Sequence, residues 1–159
     1  MGIQKSAFHE FRTLDDITTT MTAILDEFPQ LTAAEMAITE LLVNAVEHGI
    51  LGIGYEEKSC LLETDSVLDE IDRRMRDEKF SGRTAFVEVR EFPDETVVFV
   101  CDEGDGFSWR DYVDADFAAK TGFHGRGIGL CQAFSRTLAY LGKGNKVIAI
   151  FGNEGGTPP

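Results

Sequence analysis

Two stretches of the chain repeat apolar residues at the spacing of an amphipathic helix. Between residues 14 and 28, apolar side chains recur every three to four positions, which predicts a helix that Pro29 stops. A second helix is predicted from Thr32, which forms a capping box with Glu35, to a natural end at Gly49. Both helices have an apolar side that can pack on a core.

The period changes to two in the second half of the chain. Residues 84–92 alternate, Pro93 begins a turn, and residues 96–101 are a β-branched run, which together predict a hairpin. A helix is predicted over 128–141, and a last strand over 146–151 follows a Gly-Lys-Gly-Asn turn. These elements predict an α+β fold, a two-layer sandwich of one mixed β-sheet with helices on one face.

Residues 50–83 are the least informative part of the sequence. Acidic residues outnumber basic residues between Glu56 and Glu78, and a one-sided apolar stripe over 67–75 predicts a surface helix. This acidic insertion is interpreted either as a solvated helix that covers one edge of the core or as a surface that docks a partner. The pattern alone leaves both interpretations open.

Composition limits the classes of partner. A chain of 159 residues is expected to form a single domain, residues 1–159, and its formal net charge of −13 argues against nucleic acid and anionic membranes as direct partners. Cys60, Cys101 and Cys131 lie far apart, which favours neither a disulfide framework nor a zinc site. Because the sequence also lacks a signal-peptide run and any apolar stretch approaching ~18 residues, we expect a cytoplasmic protein.

The second predicted helix carries a polar pair that suits phosphate chemistry. Glu40 and Asn44 are four residues apart, so their side chains project side by side. The amide oxygen of Asn44 can bind a magnesium ion that keeps waters and phosphate oxygens as its other ligands. Glu40 can orient or deprotonate an attacking nucleophile. By spacing alone, the pair is more typical of the solvated side of an amphipathic helix.

Asp102 stands at the end of the second predicted hairpin strand. A buried carboxylate there needs hydrogen-bond donors, and the exocyclic amine of adenine is one, whereas guanine presents a carbonyl at that position. Gly104 and Gly106 allow the backbone to approach a base closely and to turn sharply. The alternative is an ordinary Asp-Gly turn after a strand.

A glycine-rich segment precedes the next predicted helix. Gly125, Gly127 and Gly129 can expose backbone N–H groups that bind phosphate, and Arg126 can add a charge-assisted hydrogen bond. The spacing matches neither the Walker A motif nor the dinucleotide fingerprint. The alternative is a plain turn that begins a helix.

In their order along the chain, these segments resemble the motifs of the GHKL superfamily of ATP-binding domains. The segments are Glu-Leu-Leu-Val-Asn-Ala-Val-Glu-His-Gly (40–49), Asp-Glu-Gly-Asp-Gly-Phe (102–107), Gly-Arg-Gly-Ile-Gly-Leu (125–130) and the late strand. The resemblance implies the Bergerat ATP-binding fold with ATP and Mg²⁺ bound. It implies that Glu40 is the general base and Asn44 the magnesium ligand, and that residues 108–124 form a lid over ATP.

The stretch Asn-Ala-Val-Glu-His-Gly at 44–49 looks most similar to the anti-sigma-factor serine/threonine kinases. That resemblance implies a bacterial regulator that binds ATP, holds a sigma factor and phosphorylates a serine or threonine of a small antagonist protein. It also suggests a homodimer. We therefore predict an ATP-dependent protein serine/threonine kinase.

Two other functions stay open. In the first, ATP or ADP sets the shape of a partner-binding surface in a partner-switching pathway, without phosphate transfer. The acidic insertion motivates that hypothesis, because it is long enough to be a docking surface. In the second, the chain is a structural α+β domain whose degenerate motifs bind no nucleotide.

Overall fold

A computed structural model describes residues 2–113 and 126–153, which form helices packed against a five-stranded sheet. The helices are α1 (Leu14–Glu27), α2 (Glu35–Asn44), α3 (Tyr55–Glu63), α4 (Val67–Met75), α5 (Glu78–Ser81), α6 (Arg110–Val113) and α7 (Arg126–Phe134). The strands are β1 (Lys5–Phe11), β2 (Ala85–Glu91), β3 (Glu95–Asp102), β4 (Thr137–Leu141) and β5 (Lys146–Gly152). The first predicted helix and the predicted hairpin are confirmed as α1 and β2–β3.

The sheet has the strand order β1-β2-β3-β5-β4, and each of these four pairings is antiparallel. The predicted α+β class is confirmed, but the sheet of the described residues is antiparallel rather than mixed. A parallel pair needs a crossover that brings the chain back to the same end of the sheet. Here the two hairpins and the two longer connections each place neighbouring strands in opposite directions.

One face of the sheet forms a continuous hydrophobic core with the helices. Alternate residues of β2 and β3 point to this face and are almost completely buried, as the period of two in their sequence requires. They belong to one cluster with buried side chains of α1, α2 and α7. The predicted two-layer arrangement, with helices on one face, is therefore confirmed.

The opposite face of the sheet is apolar and partly open to solvent. Phe8, Phe86 and Phe99 lie in a row across β1, β2 and β3, with ring centroids 5.0 Å apart in the first pair and 5.8 Å apart in the second. The Phe8 side chain is 59% exposed. On the same face Arg90 Nη2 lies 2.7 Å from Glu88 Oε1, so the charges beside this aromatic row balance each other.

Helix α2 begins and ends differently from the prediction. The Thr32 hydroxyl donates to the Pro29 carbonyl oxygen at 2.7 Å inside a 3₁₀ turn, so it does not cap the helix, and α2 begins at Glu35. At the other end Gly49 does not terminate the helix, because a π-helical turn, Ala45–Ile50, continues it. This extension carries the chain to the end of β3.

The predicted insertion, residues 50–83, folds into α3, α4 and α5, and α4 confirms the surface helix predicted within it. Lys58 of α3 forms an ion pair with the carboxylate of Glu47, whose side chain is only 7% exposed. Arg74 of α4 donates to the Leu51 carbonyl oxygen at 2.9 Å. Because a buried carboxylate without its partner is strongly destabilising, the ion pair fixes the insertion to the end of α2.

The helix predicted over 128–141 is wrong in its second half. Helix α7 ends at Phe134, and the Ser135 hydroxyl donates to the Cys131 carbonyl oxygen at 2.6 Å just beyond that end. The chain then forms the edge strand Thr137–Leu141, which pairs with β5. Pairing with β5 decides the structure, because the apolar residues of this short stretch fit either period.

Among the described residues, no single helix is both long and apolar enough to cross a membrane. The stretches Pro29–Ile50 and Tyr55–Glu63 meet the length and composition of a span only when taken as a pair, and they are bent by 100° relative to each other.

Candidate functional site

A small cavity lies where α2 and its π-helical turn meet the end of β3 and the β4–β5 hairpin. Its volume is about 30 Å³. It brings together three residues that the sequence singles out, Asn44, Asp102 and Gly106. The other lining residues are mainly apolar or aromatic: Leu41, Ala45, His48, Gly49, Tyr55, Val100, Phe107, Tyr140, Gly144, Asn145 and Val147. An apolar slot with a few polar groups is typical of a small-molecule site.

Asp102 is held at the end of β3 by its backbone. Its N–H donates to the Asn145 carbonyl oxygen at 3.0 Å, and its own carbonyl oxygen accepts from Asn145 Nδ2 at 2.8 Å. Oδ1 of the carboxylate accepts from the Gly104 N–H at 2.8 Å. Burial raises the pKa of the Asp102 carboxyl to about 6, since the charged form loses hydration. The hydrogen bond from the Gly104 N–H offsets only part of this lost hydration, so the carboxylate can accept a further hydrogen bond from a ligand.

Gly49 and Gly104 allow the backbone to pack directly around this carboxylate. A Cβ at Gly49 would lie 2.6 Å from Asp102 Oδ2, and a Cβ at Gly104 would lie 2.7 Å from the Gly49 Cα. The sequence interpretation assigned Gly49 to helix termination, yet its role is to leave room for Asp102. Gly106, with a φ of +79°, turns the chain beside Lys143.

Gly104→Ala is expected to lower the free energy of unfolding by about 2 kcal/mol, because the new methyl group would meet backbone atoms that cannot rotate away. Gly82→Ala is the matched control, since a Cβ at Gly82 meets no atom within 4 Å. We expect that control to be neutral or slightly stabilising. Chemical denaturation of both variants measures the difference, and equal stabilities would contradict the close packing of Gly104.

Glu40 and Asn44 lie side by side on α2, and both are half-buried. Asn44 lines the cavity, and its side-chain amide N–H donates to the Tyr140 hydroxyl oxygen. Glu40 points to the first turn of α7, where a Cβ on Gly127 would lie 2.6 Å from Glu40 Oε2. The positive end of the α7 dipole favours a carboxylate at this place. Glu40 thus faces the helix that follows the glycine-rich turn, whereas Asn44 faces the cavity.

The glycine-rich turn itself is only partly described. Gly125 and the lid residues from 114 onward lie outside the described residues, so their predicted roles stay predictions. Arg126 is the first residue of α7, and the phosphate contact predicted for its side chain also stays a prediction. Gly129 lies in the same helix, and a Cβ there would meet open space.

The comparison with known protein families agrees with this geometry. The model of the histidine kinase-like ATPase domain matches residues 12–151, which is most of the chain. The chain belongs to this family. A search of curated proteins finds no match. Membership confirms the GHKL superfamily that the motifs resemble, and the α+β sheet with its helices is consistent with the Bergerat fold. Because the members of this family are ATPase domains, membership implies that the chain binds ATP.

Aromatic side chains surround the cavity of the ATPase domain, and the sequence did not point to two of them, Tyr55 and Tyr140. His48 stacks on Tyr55 with centroids 3.8 Å apart, and Tyr55 lies 5.3 Å from Phe107. Phe107 packs edge-on against Tyr140 at 5.2 Å. Tyr55 belongs to the insertion, which therefore forms one wall of the cavity. The period-two spacing of Leu138 and Tyr140 was the available signal for Tyr140.

His48 has a structural position in this cluster. Its Nδ1 is hydrogen-bonded to the Ile53 carbonyl oxygen, which joins the π-helical turn to the start of the insertion. Burial lowers the pKa of His48 to about 4, so the ring is neutral at physiological pH. Because this hydrogen bond fixes the neutral His48 ring, stacking on that ring orients Tyr55.

Proposed function

We propose that this ATPase domain is a protein serine/threonine kinase of the anti-sigma-factor type. It binds Mg²⁺-ATP and transfers the γ-phosphoryl group to a hydroxyl of a small antagonist protein. The observation that carries the proposal is the juxtaposition of Glu40 with the first turn of α7 and of Asn44 with the cavity that contains Asp102. This arrangement supports the roles proposed below for Asp102 in base recognition, Asn44 in metal binding and Glu40 in proton transfer.

Asp102 recognises the base. Its carboxylate accepts a hydrogen bond from the exocyclic amine of adenine, and this contact selects adenine because guanine presents an acceptor instead. Gly104 and Gly49 support the carboxylate from behind, since any side chain on either residue would displace it or the backbone beside it. Asn145 fixes the backbone on both sides of Asp102 and thereby the direction in which the carboxylate points.

Asn44 and the start of α7 form the phosphate end of the site. Mg²⁺ held there would neutralise phosphate charge. The Asn44 amide oxygen is a hard ligand suited to that ion, and the exposed N–H groups at the start of α7 suit phosphate oxygens. Gly127 lies in the first turn of α7, and the positive charge of Arg126 suits the same phosphates.

Glu40 handles the proton in the transfer step. Its carboxylate accepts the hydroxyl proton of the antagonist's serine or threonine as that oxygen bonds to the γ-phosphorus. The bond between the γ-phosphorus and its bridging oxygen breaks, and ADP leaves with the electron pair of that bond. Positioning and electrostatic stabilisation supply most of the acceleration in such reactions.

The test is transfer of a labelled γ-phosphoryl group from Mg²⁺-ATP to purified candidate antagonist proteins. The proposal expects label on a serine or threonine of one antagonist and none when Mg²⁺ is chelated. Tight ATP binding without transfer to any antagonist would contradict the kinase proposal and favour the nucleotide-gated module.

The proposed partners are a sigma factor, its antagonist and a second copy of this chain. The aromatic row Phe8–Phe86–Phe99 supports the second copy, because its neighbouring charges Glu88 and Arg90 balance each other in a chain of net charge −13. A cytoplasmic location is part of the same proposal.

Sedimentation at micromolar concentration should give a mass of about 35 kDa, twice the 17.6 kDa of the chain. A concentration-independent mass of one chain would exclude the homodimer.

A second candidate function is a nucleotide-gated binding module without phosphate transfer. The observation that favours it is the contact of the insertion with the cavity: Tyr55 lies against Phe107, and Arg83 Nη2 lies 3.6 Å from Asp105 Oδ2. A bound nucleotide can therefore change the insertion and any partner on it, with a coupling of typically ~1–3 kcal/mol. Hydrogen exchange of α3–α5 that is identical with and without ATP would contradict this candidate.

A further inference from the structure

A second cavity lies between the insertion and the loop that follows β3, and neither Asn44 nor Asp102 lines it. Its volume is about 290 Å³, near the lower limit of ~300 Å³ that is typical of small-molecule pockets. Among the described residues, four cationic side chains line this cavity against two carboxylates, those of Asp77 and Asp105. The cations are Arg73 and Arg74 of α4, Lys79 of α5 and Arg83. Positive charge is thus concentrated at one place in a chain of net charge −13.

Two of the four cations are held firmly by carboxylates of the insertion. Arg73 donates to both oxygens of Glu70, from Nε at 2.9 Å and from Nη2 at 2.7 Å. Arg74 donates to the carboxylates of Glu70 and Glu57. The charges of these two arginines are therefore balanced within the protein, and their side chains form a fixed wall of the cavity.

The other two cations, Lys79 and Arg83, are held loosely. The Lys79 side chain is exposed, and its ammonium group forms no ion pair with a carboxylate of the described residues. Arg83 Nη1 reaches two backbone carbonyl oxygens of the π-helical turn only at 3.4 Å each, and Nη2 lies 3.6 Å from Asp105 Oδ2, beyond hydrogen-bond distance. Because a guanidinium group has five N–H donors, Arg83 keeps donors for a ligand.

The Phe80 ring holds these two cations beside each other. Lys79 Nζ lies 5.3 Å from the ring centroid, and the guanidinium carbons of Arg83 and Arg74 lie 5.5 Å and 5.6 Å from it. Gly52, with a φ of +63°, leaves room at this ring, since a Cβ there would lie 3.4 Å from Phe80 Cε1 and 4.0 Å from Arg83 Nη1. Like charges gathered around one ring repel one another, and an anion in the cavity offsets that repulsion.

We propose that this cavity binds a phosphate monoester, whose oxygens accept hydrogen bonds from Lys79 and Arg83 beside the Phe80 ring. Such a group carries a charge of about −1.5 to −2 at neutral pH and three acceptor oxygens. It therefore suits donors that approach from different sides better than a planar carboxylate does. The ester belongs to a small molecule or to a phosphorylated side chain of a partner protein, and both present the same group. The inference does not depend on ATP binding, because the proposed nucleotide residues Asn44 and Asp102 do not line this cavity.

The test is titration of the isotope-labelled protein with inorganic phosphate and with a short peptide that carries one phosphoserine, at constant ionic strength, followed by NMR. We expect saturable shifts of the amide signals of Gly52 and of residues 79–83, with a dissociation constant for inorganic phosphate on the order of millimolar. Peptide binding that is tighter by about tenfold or more would identify a phosphorylated protein as the ligand. Equal affinities would identify a small phosphate.

Lys79→Gln should weaken phosphate binding by about tenfold, because it removes one charge-assisted hydrogen bond, and Lys79→Glu should abolish binding. Both substitutions are at an exposed side chain, so the variants should fold. Lys5→Gln is the matched control, since Lys5 is also exposed and its ammonium group also lies over a ring, 4.9 Å from the Phe28 centroid. The control should bind phosphate like wild type.

Two results would overturn the phosphate site. One is the absence of saturable shifts around the cavity, and the other is equal phosphate binding by wild type and Lys79→Glu. Shifts confined to the start of α7 would also exclude this cavity, but they would leave the proposed nucleotide site intact.

Discussion

Asp102→Asn is expected to weaken ATP binding by about a hundredfold, which corresponds to about 3 kcal/mol. The carboxylate accepts from the adenine amine, and an asparagine side chain can present a donor to that amine instead. Calorimetric titration of Mg²⁺-ATP measures the loss.

For the same reason, ATP binding by the wild type should strengthen as the pH rises through about 6, where Asp102 ionises.

The same substitution should stabilise the protein when no nucleotide is present. Burial raises the pKa of Asp102 from 3.8 to about 6, so between these values the folded protein holds a proton that the unfolded chain has lost. Stability contributed by this group therefore falls as the pH rises from about 4 to about 6 and stays low above that window, a difference of about 3 kcal/mol. Asparagine carries no charge and can still accept the Gly104 N–H.

We therefore expect Asp102→Asn to raise the free energy of unfolding by about 2 kcal/mol at about pH 8 and to leave it unchanged near pH 4. Asp105→Asn is the matched control, because it makes the same exchange in the same loop at a side chain that is 92% exposed. Because the control loses only an exposed ion pair with Arg83, its stability should change by less than about 1 kcal/mol and its ATP binding should stay the same. A destabilised Asp102→Asn at pH 8 would show that the carboxylate is compensated in the folded protein.

Glu40→Gln is expected to slow phosphate transfer by about a hundredfold or more while ATP affinity changes little. Glutamine keeps the size of the side chain beside Gly127 but cannot accept a proton at the attacking oxygen. Transfer of labelled phosphate to the antagonist measures the rate, and titration measures the affinity. Because positioning and electrostatics remain, some transfer should persist.

Glu35→Gln is the control for this variant, since Glu35 lies exposed in the first turn of the same helix α2. It removes the same charge from the helix without touching the site, and its transfer rate should equal that of wild type. If Glu40→Gln transferred phosphate as fast as Glu35→Gln, Glu40 would not be the base. A parallel loss of ATP affinity and transfer rate would instead indicate a binding role.

Sequence patterns were sufficient where one period dominated a long stretch. Helix α1 and the β2–β3 hairpin were predicted because their apolar residues repeat over many positions and Pro93 separates the two strands. The polar pair Glu40 and Asn44 was predictable for the same reason, since a fixed helical spacing places both on one side. The placement of these residues depends on the geometry within one helix or one hairpin, so the local sequence pattern is enough to predict it.

The missed features depend on contacts between distant segments. Thr137–Leu141 was assigned to a helix because only its pairing with β5 makes it a strand, and Tyr140 was overlooked with it. The local pattern predicts a helix end at Gly49, but the structure requires glycine there because a Cβ would collide with the Asp102 carboxylate, a contact that no local pattern reveals. Tyr55 likewise becomes part of the site only after the ion pair of Lys58 and Glu47 fixes the insertion.

The most direct test of the central claim is a pair of calorimetric titrations of the wild-type protein with Mg²⁺-ATP and Mg²⁺-GTP. We expect ATP to bind with a dissociation constant on the order of micromolar and GTP to bind about a hundredfold more weakly or not at all, because Asp102 needs the adenine amine. Equal affinity for the two nucleotides would contradict recognition by Asp102. Absence of binding to both would contradict the nucleotide site as a whole.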